Sequence, residues 1–226
     1  MNNLLLFLAV LPGLGICYAM FRIDRYDREP LLALAVAFGL GAAVTVPAVW
    51  LEAWAFQWLG HQPGIIETLV LAFAGVALVE EGFKFFALRL GAFPFPFFNE
   101  PLDGIVYSVM VAMGFSTVES LAYADRFGLE TVLLRAFTAV PAHLVFAIVL
   151  GYFVGSAKFD PARRTTLLWR GFGLTVLLHG LYDTLVIQQW FEWLAALATV
   201  GLYLCLFFCT QLVREHLENS PFSQRE

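Results

Sequence analysis

The chain has 226 residues, of which 60 % are hydrophobic and only 14 % charged, and its formal net charge is −5. A water-facing globular surface draws on about 25 % charged residues, so this composition excludes an ordinary soluble domain, and no basic tract points to nucleic acid. A chain this apolar is solvated by a lipid bilayer instead.

The first apolar stretch, 3–21, has the look of a signal peptide but lacks a basic leading segment and an A-x-A site. The charged run Phe21 to Pro30 (FRIDRYDREP) comes after it rather than before, which predicts an uncleaved helix with its N-terminus outside. Further spans are expected at 31–58, 65–90, 102–124, 132–157, 167–187 and 191–213. Each has about the 20 residues needed to cross ~30 Å of hydrocarbon. None alternates with period two, so a barrel is not expected and helices must satisfy their own backbone groups. The reading is therefore an all-α polytopic bundle of about seven spans, forming one transmembrane domain over 1–226. Residues 91–101 (GAFPFPFFNEP) read as a cytoplasmic turn or re-entrant piece. Trp50, Trp54, Trp58, Trp169, Trp190 and Trp193 read as interfacial anchors. Cys17, Cys205 and Cys209 lie in apolar segments and read as packing residues rather than a disulfide framework.

The charges between spans give an orientation. Arg22, Arg25, Arg28, Arg89, Lys158, Arg163, Arg164, Arg170, Arg214 and Arg225 fall on one side, and only Arg126 and Arg135 on the other. The positive-inside rule then places the C-terminus in the cytoplasm. Gly151 and Gly155 form a GxxxG pair suited to close helix packing or, less strongly signalled, a dimer face.

Ionisable residues inside spans cost several kcal/mol each and call for a reason. The third span holds Glu80, Glu81 and Lys84; the fourth Asp103 near its start and Glu119; the fifth His143, just after Pro141; the sixth His179 and Asp183. Glu80 and Lys84 lie one turn apart, as do His179 and Asp183. Adjacent Glu80 and Glu81 point about 100° apart, so one can face a cavity while the other braces a neighbouring helix. Counted by helical rise, Glu80, Glu119, His143, His179 and Asp183 fall within a slab on the order of 15 Å, from mid-bilayer outward. Such a set suits hydrolysis: a glutamate as general base for water and a histidine to orient it or steady an oxyanion. The same groups suit Zn²⁺, with Glu119, His143, His179 and Asp183 as ligands and Glu80 or Glu81 as base. Plainer readings stand beside these. Glu80 with Lys84 reads as a structural ion pair, which leaves Glu81 unexplained; His143 as a partner for a carbonyl freed by Pro141; Glu119 as a packing contact; His179 with Asp183 as a buried pair; Asp103 as a helix cap.

Val79-Glu80-Glu81-Gly82-Phe83-Lys84 resembles the E-E-x-x-K motif of the PrsW family of intramembrane proteases. Phe115 to Glu119 resembles its F-x-x-x-E motif, and His179 to Asp183 its H-x-x-x-D motif. The run Asp24 to Pro30, the Asp103-Gly104 pair and the segment around His143 are also similar to that family, and the matches keep family order over roughly residues 20 to 185. The related CAAX prenyl endopeptidases and bacteriocin-processing proteins show E-E-x-x-x-R and F-x-x-x-H; Lys84 and Glu119 favour PrsW over them. The resemblance implies a multi-pass cell-membrane hydrolase that cleaves a single-span, membrane-anchored anti-sigma factor near the outer face, as a first (site-1) cut. It also implies that Glu80, Glu81 and His179 are catalytic. Lys84, Glu119, His143 and Asp183 would then support or orient them, or hold a metal as set out above. Two rivals remain from the residues alone: a proton- or ion-coupled transporter, weakened by the absence of an inverted repeat, and a scaffold that binds a partner helix through Gly151 and Gly155.

Overall fold

The computed structural model describes residues 3–60 and 64–223. Among these residues there is no strand. The helices run α1 (Asn3–Ile23), α2 (Leu31–Leu59), α3 (Ile65–Val70), a π-helical stretch (Leu71–Ala77), α4 (Leu78–Gly91), α5 (Pro101–Phe127), α6 (Leu129–Phe137), α7 (Ala139–Phe159), α8 (Arg164–Ile187) and α9 (Trp193–Glu218). Five helical stretches among the described residues are long and apolar enough to cross a bilayer: 3–23, 31–59, 101–127, 129–159 and 193–218. The other two long segments, 65–91 and 164–187, carry Glu80, Glu81 and Lys84 or His179 and Asp183. Polar groups turned to a shared interior lower hydropathy without meeting lipid.

Local chemistry sets the breaks. The segment expected as one span over 132–157 is two helices, because the backbone at Thr138 (φ −125°, ψ −77°) leaves the helical region. Pro141 sits in the first turn of α7, where its missing N–H costs nothing. Gly128, at φ +81°, ends α5 and starts α6 in a conformation that suits glycine alone. Asp103 caps α5: its Oδ2 accepts the N–H groups of Asn99 at 2.7 Å and Glu100 at 2.8 Å, and Pro101 opens the helix.

α5 is the axis of the bundle, with Tyr107, Met113 and Phe115 fully buried. It packs against α1, α2 and α7, and α7 in turn against α8 and α9. The α5–α7 crossing is tight because both helices present glycine: a Cβ on Gly151 would run into the Gly104 carbonyl and the backbone of Ile105. The GxxxG pair is thus spent inside the bundle and is not a free face for a partner helix. Gly151→Leu is expected to cost roughly 3 kcal/mol by overpacking and to remove the monodisperse peak on size-exclusion in detergent. Gly173→Leu, where a Cβ meets open space, is expected to leave that peak in place. The outer faces are covered by residues such as Leu32, Trp50, Trp58 and Phe207, all well exposed, as a bilayer solvent allows. All three cysteines are free thiols.

At the end of the bundle holding the 24–30 turn, Asp24, Glu29 and Glu100 are buried. Asp24 accepts the Glu29 N–H at 3.1 Å, the Tyr107 hydroxyl donates to Glu29, and the Asn99 amide reaches Asp27 at 2.9 Å. Burial raises Asp24 to about 6, Glu29 to about 7 and Glu100 to about 6; neighbouring Asp27 adds to all three and Arg28 opposes the rise at Asp24. The folded turn therefore holds protons that an unfolded chain releases near pH 4. Its added stability is complete below about pH 4 and is lost as pH rises through 6 to 7. Amides 24–29 are expected to show greater hydrogen-exchange protection, corrected for intrinsic rate, at pH 5 than at pH 8.

Candidate active site

Glu80, Glu81 and Lys84 occupy the first two turns of α4, directly after the π-helical stretch. A π turn widens the helix and shifts which side the following residues face, and such insertions are frequent at functional sites. Within α4 the lysine folds back on both acids, with Nζ 2.7 Å from Glu80 Oε2 and 2.9 Å from Glu81 Oε1, the reach that i,i+4 and i,i+3 spacings provide. Its third donor meets His143 Nδ1 at 3.1 Å, and the ammonium lies 4.2 Å from the Phe115 ring centroid. All three groups on α4 are buried.

The network extends both ways. A lysine only donates, so His143 Nδ1 accepts and Nε2 carries the proton, given to Glu119 Oε2 at 3.0 Å. Glu119 is held in turn by Arg135, with Nη2 to Oε2 at 2.8 Å and Nη1 to Oε1 at 3.1 Å. On the other side His179 Nδ1 meets Glu81 Oε1 at 2.9 Å, and its Nε2 meets Asp183 Oδ2 at 3.2 Å. The His179 ring stacks on Phe146 at 4.6 Å and stands perpendicular to His143 at 5.9 Å. Five helices, α4 to α8, thus contribute to one hydrogen-bonded chain.

Next to this chain is a cavity of about 260 Å³, lined by Glu52, Glu80, Glu119, Arg135, His143 and His179, with Asp183 and Tyr182 at its wall. That is room for several waters. Glu81 and Lys84 are not on its surface. Of the adjacent pair it is Glu80 that faces the cavity, while Glu81 bridges Lys84 and α8. The expected site residues Glu80, Glu81, Lys84, Glu119, His143, His179 and Asp183 are therefore brought together. Asp103 is not among them; it lies at the other end of α5 as a cap.

Two residues at the site escape a reading by sequence. Arg135 counts there as a loop charge, but it is buried, reaches Ser120 Oγ at 3.2 Å and covers the Tyr123 ring at 4.4 Å. The signal was the amphipathic pattern of 129–137, whose buried positions are Val132 and Arg135. Glu52 lines the cavity from α2 and has Oε1 buried without a hydrogen-bond partner. It is the one charged residue in the whole of α2, which was the available cue.

Donor atoms that lie within 4.8 Å of one another form two groups among the described residues, Glu80–Glu81–His179 and Glu80–Glu119–His143. The four residues read from sequence as a metal set are thus divided, and Asp183 joins neither group. Mixed carboxylate and imidazole donors suit Zn²⁺. Glu80, Glu119, His143 and His179 all open on the cavity, but Glu81 of the other group does not; both nitrogens of His143 and of His179 are engaged, those of His143 by Lys84 and Glu119. The first three fit a divalent cation, in competition with the Lys84 ammonium that now neutralises Glu80.

A family described as PrsW family intramembrane metalloprotease matches residues 29–212. Curated relatives named Protease PrsW include one from Geobacillus kaustophilus (strain HTA426), 34 % identical over 80 % of this chain and 78 % of its own. Another, from Clostridioides difficile (strain 630), is 34 % identical over 87 % and 84 %. A third, from Bacillus subtilis (strain 168), is 29 % identical over 77 % and 78 %. No solved structure matches. Buried acids and imidazoles beside a water-sized cavity, in a bundle of lipid-facing helices, accord with that likeness: the chain belongs to the PrsW family of intramembrane proteases, multi-pass peptidases of the cell membrane that act on membrane proteins.

Proposed function

We propose that this chain hydrolyses a peptide bond of a single-span membrane protein, of the anti-sigma-factor type, with Glu80 as the base that activates water. The observation that carries the reading is the division of labour in the adjacent pair: Glu80 faces the cavity, and Glu81 is locked behind it by Lys84 and His179. Glu80 takes a proton from a cavity water as that oxygen adds to the scissile carbonyl carbon. Cavity-lining His179 is set in place by Glu81 through Nδ1, and its Nε2–H, turning from Asp183 to the substrate, steadies the charge that grows on the carbonyl oxygen. Collapse of the tetrahedral adduct breaks the C–N bond, and the proton held by Glu80 passes to the leaving amine. Glu119 and His143 keep the Lys84 side of the site in register. A divalent cation held by Glu80, Glu119 and His143 would polarise the carbonyl and acidify bound water, and Glu80 would then serve as its ligand in place of the free base. The distribution of basic residues, ten on one side against Arg126 on the other once Arg135 is taken into the site, supports a cavity in the outer half of the bilayer and hence a cut near the outer face.

The test is cleavage of a single-span reporter in proteoliposomes. His179→Ala and Glu81→Gln proteins that keep the wild-type elution volume are expected to lose at least 100-fold in rate, and full activity in both would sink the proposal. Chelation and Zn²⁺ add-back on the same sample assign the cation: loss and recovery place it in the reaction, and an unchanged rate leaves the work to the side chains.

A further inference from the structure

The scissile peptide has to reach atoms enclosed by helices, and among the described residues two clefts adjoin the catalytic cavity. One cleft, between α2 and α5, shares Glu52, Phe56, Glu119 and Tyr123 with the catalytic cavity and is rimmed by Arg126 and Phe127 beside the Gly128 end of α5. Its charged rim at a helix end suits water. The other is a groove of about 270 Å³ between α7, α8 and α9, which shares Phe146 and Tyr182 with the catalytic cavity. Apart from the Tyr182 hydroxyl and the Cys205 thiol its lining is hydrocarbon, with Leu178, Leu181, Leu185 and Leu197 among it. Two further apolar grooves, beside α1, share no lining residue with the cavity.

We propose that the α7–α8–α9 groove is the docking site for the membrane-spanning helix of the substrate, and that Phe146 and Tyr182 are the partition through which the unwound peptide passes to Glu80. The proposal rests on the proteolytic reading above. Both clefts adjoin the catalytic cavity, and the apolar lining selects this one; Phe146 and Tyr182, edge to face at 6.2 Å, line the groove and the cavity alike. Phe146 also stacks on His179, so a guest that displaces it arrives at the catalytic imidazole. The choice of a helix over an acyl chain comes from α9: Ala198, Gly201 and Cys205 all line the groove, and a Cβ on Gly201 would meet only open space. Small side chains in a row let a second backbone approach closely, which is how helices associate in lipid; an acyl chain gains nothing from them. Leu181 and Leu197, about half exposed, border the row.

Cys205 is a natural reporter of occupancy. The probe is a single-span protein that the wild-type chain cleaves, carrying one cysteine in its span. Oxidative cross-linking is scored in a Cys17→Ser, Glu80→Gln background, where binding is read without turnover. A cross-link at Cys205 that excess cysteine-free reporter suppresses is the expected result, with none from Ala53→Cys in the α2–α5 cleft (scored with Cys205→Ser). Gly201→Leu, on the active protein, is expected to raise KM at least tenfold while changing kcat less than twofold. Cross-linking through Ala53→Cys alone, or an unchanged KM in Gly201→Leu, overturns the proposal. So does a photoreactive acyl lipid that labels Cys205 and is not displaced by reporter, which assigns the groove to lipid. Retained cleavage in Glu80→Gln would count against the catalytic assignment and not against docking, because the cross-link is independent of chemistry.

Discussion

Glu80→Gln is expected to lower the rate of peptide hydrolysis by about 10²–10⁴-fold, the range that loss of a positioned general base produces, with KM changed by no more than a few-fold. The amide keeps the volume and one oxygen of the carboxylate, so the cavity and the approach of Lys84 survive, and what disappears is a group able to take a proton from water. Glu81→Gln is expected to be comparably inactive for another reason. Glu81 does not touch the cavity; its Oε1 serves both Lys84 and His179, and its neutral replacement removes the charge that holds them, leaving the imidazole held chiefly by Asp183. The two variants separate under close inspection of the histidine. In Glu80→Gln the His179 ring NMR signals stay near their wild-type positions, while in Glu81→Gln they move. Initial rates on the single-span reporter in proteoliposomes are the primary measurement. A Glu80→Gln rate within tenfold of wild type would reassign the base, and Glu52, whose Oε1 has no hydrogen-bond partner at the same cavity, would be the next residue to replace.

Lys84→Met is expected to destabilise the folded protein by about 3–5 kcal/mol, the cost of stripping one partner from a buried ion pair, and to abolish activity. The methionine fills the space but leaves two buried carboxylates within one helical turn of each other and no cation between them. His143 also loses the donor that fixes its tautomer. The measurement is the denaturant midpoint of purified protein in micelles, followed by tryptophan fluorescence. Adding Glu81→Gln to Lys84→Met removes one of the stranded charges and is expected to recover stability, a non-additive outcome diagnostic of direct coupling. Additive losses would show that the ammonium is not the hub of the network.

Much of this site is legible in the sequence because acids and imidazoles are so costly in apolar helices that each one marks itself. Glu80, Glu81, Lys84, Glu119, His143, His179 and Asp183 stand out against leucine and phenylalanine, and the one-turn spacings of Glu80 with Lys84 and His179 with Asp183 foretell two of the observed pairs. What periodicity cannot supply is phase. The π-helical stretch before α4 breaks the 3.6-residue repeat, so which of the two glutamates faces the cavity cannot be counted from the start of the segment. Arg135 is misread because the turn at Thr138 bends α6 back over the bundle and converts an apparent loop residue into the counter-ion of Glu119. Glu52 is overlooked because it lacks a partner within its own helix, and partners across helices are a matter of tertiary packing. The end of α5 shows the opposite case: Asp103 as a cap follows from its position three residues into a helix that opens with proline, and the hydrogen bonds to Asn99 and Glu100 agree.

The pairing of Lys84 with both glutamates lies wholly within α4, and this bears on biogenesis. Membrane insertion of a nascent segment costs about 3 kcal/mol for each charge near its centre, and 65–91 precedes residues 143 and 179 in the chain. A lysine three and four residues after the acids lets the segment arrive with half of their charge compensated, one net negative charge of the three groups outstanding. Glu81 gains its partner outside α4 only when α8 docks and brings His179 Nδ1 to its Oε1, so completion of the bundle and completion of the hydrolytic apparatus are the same event.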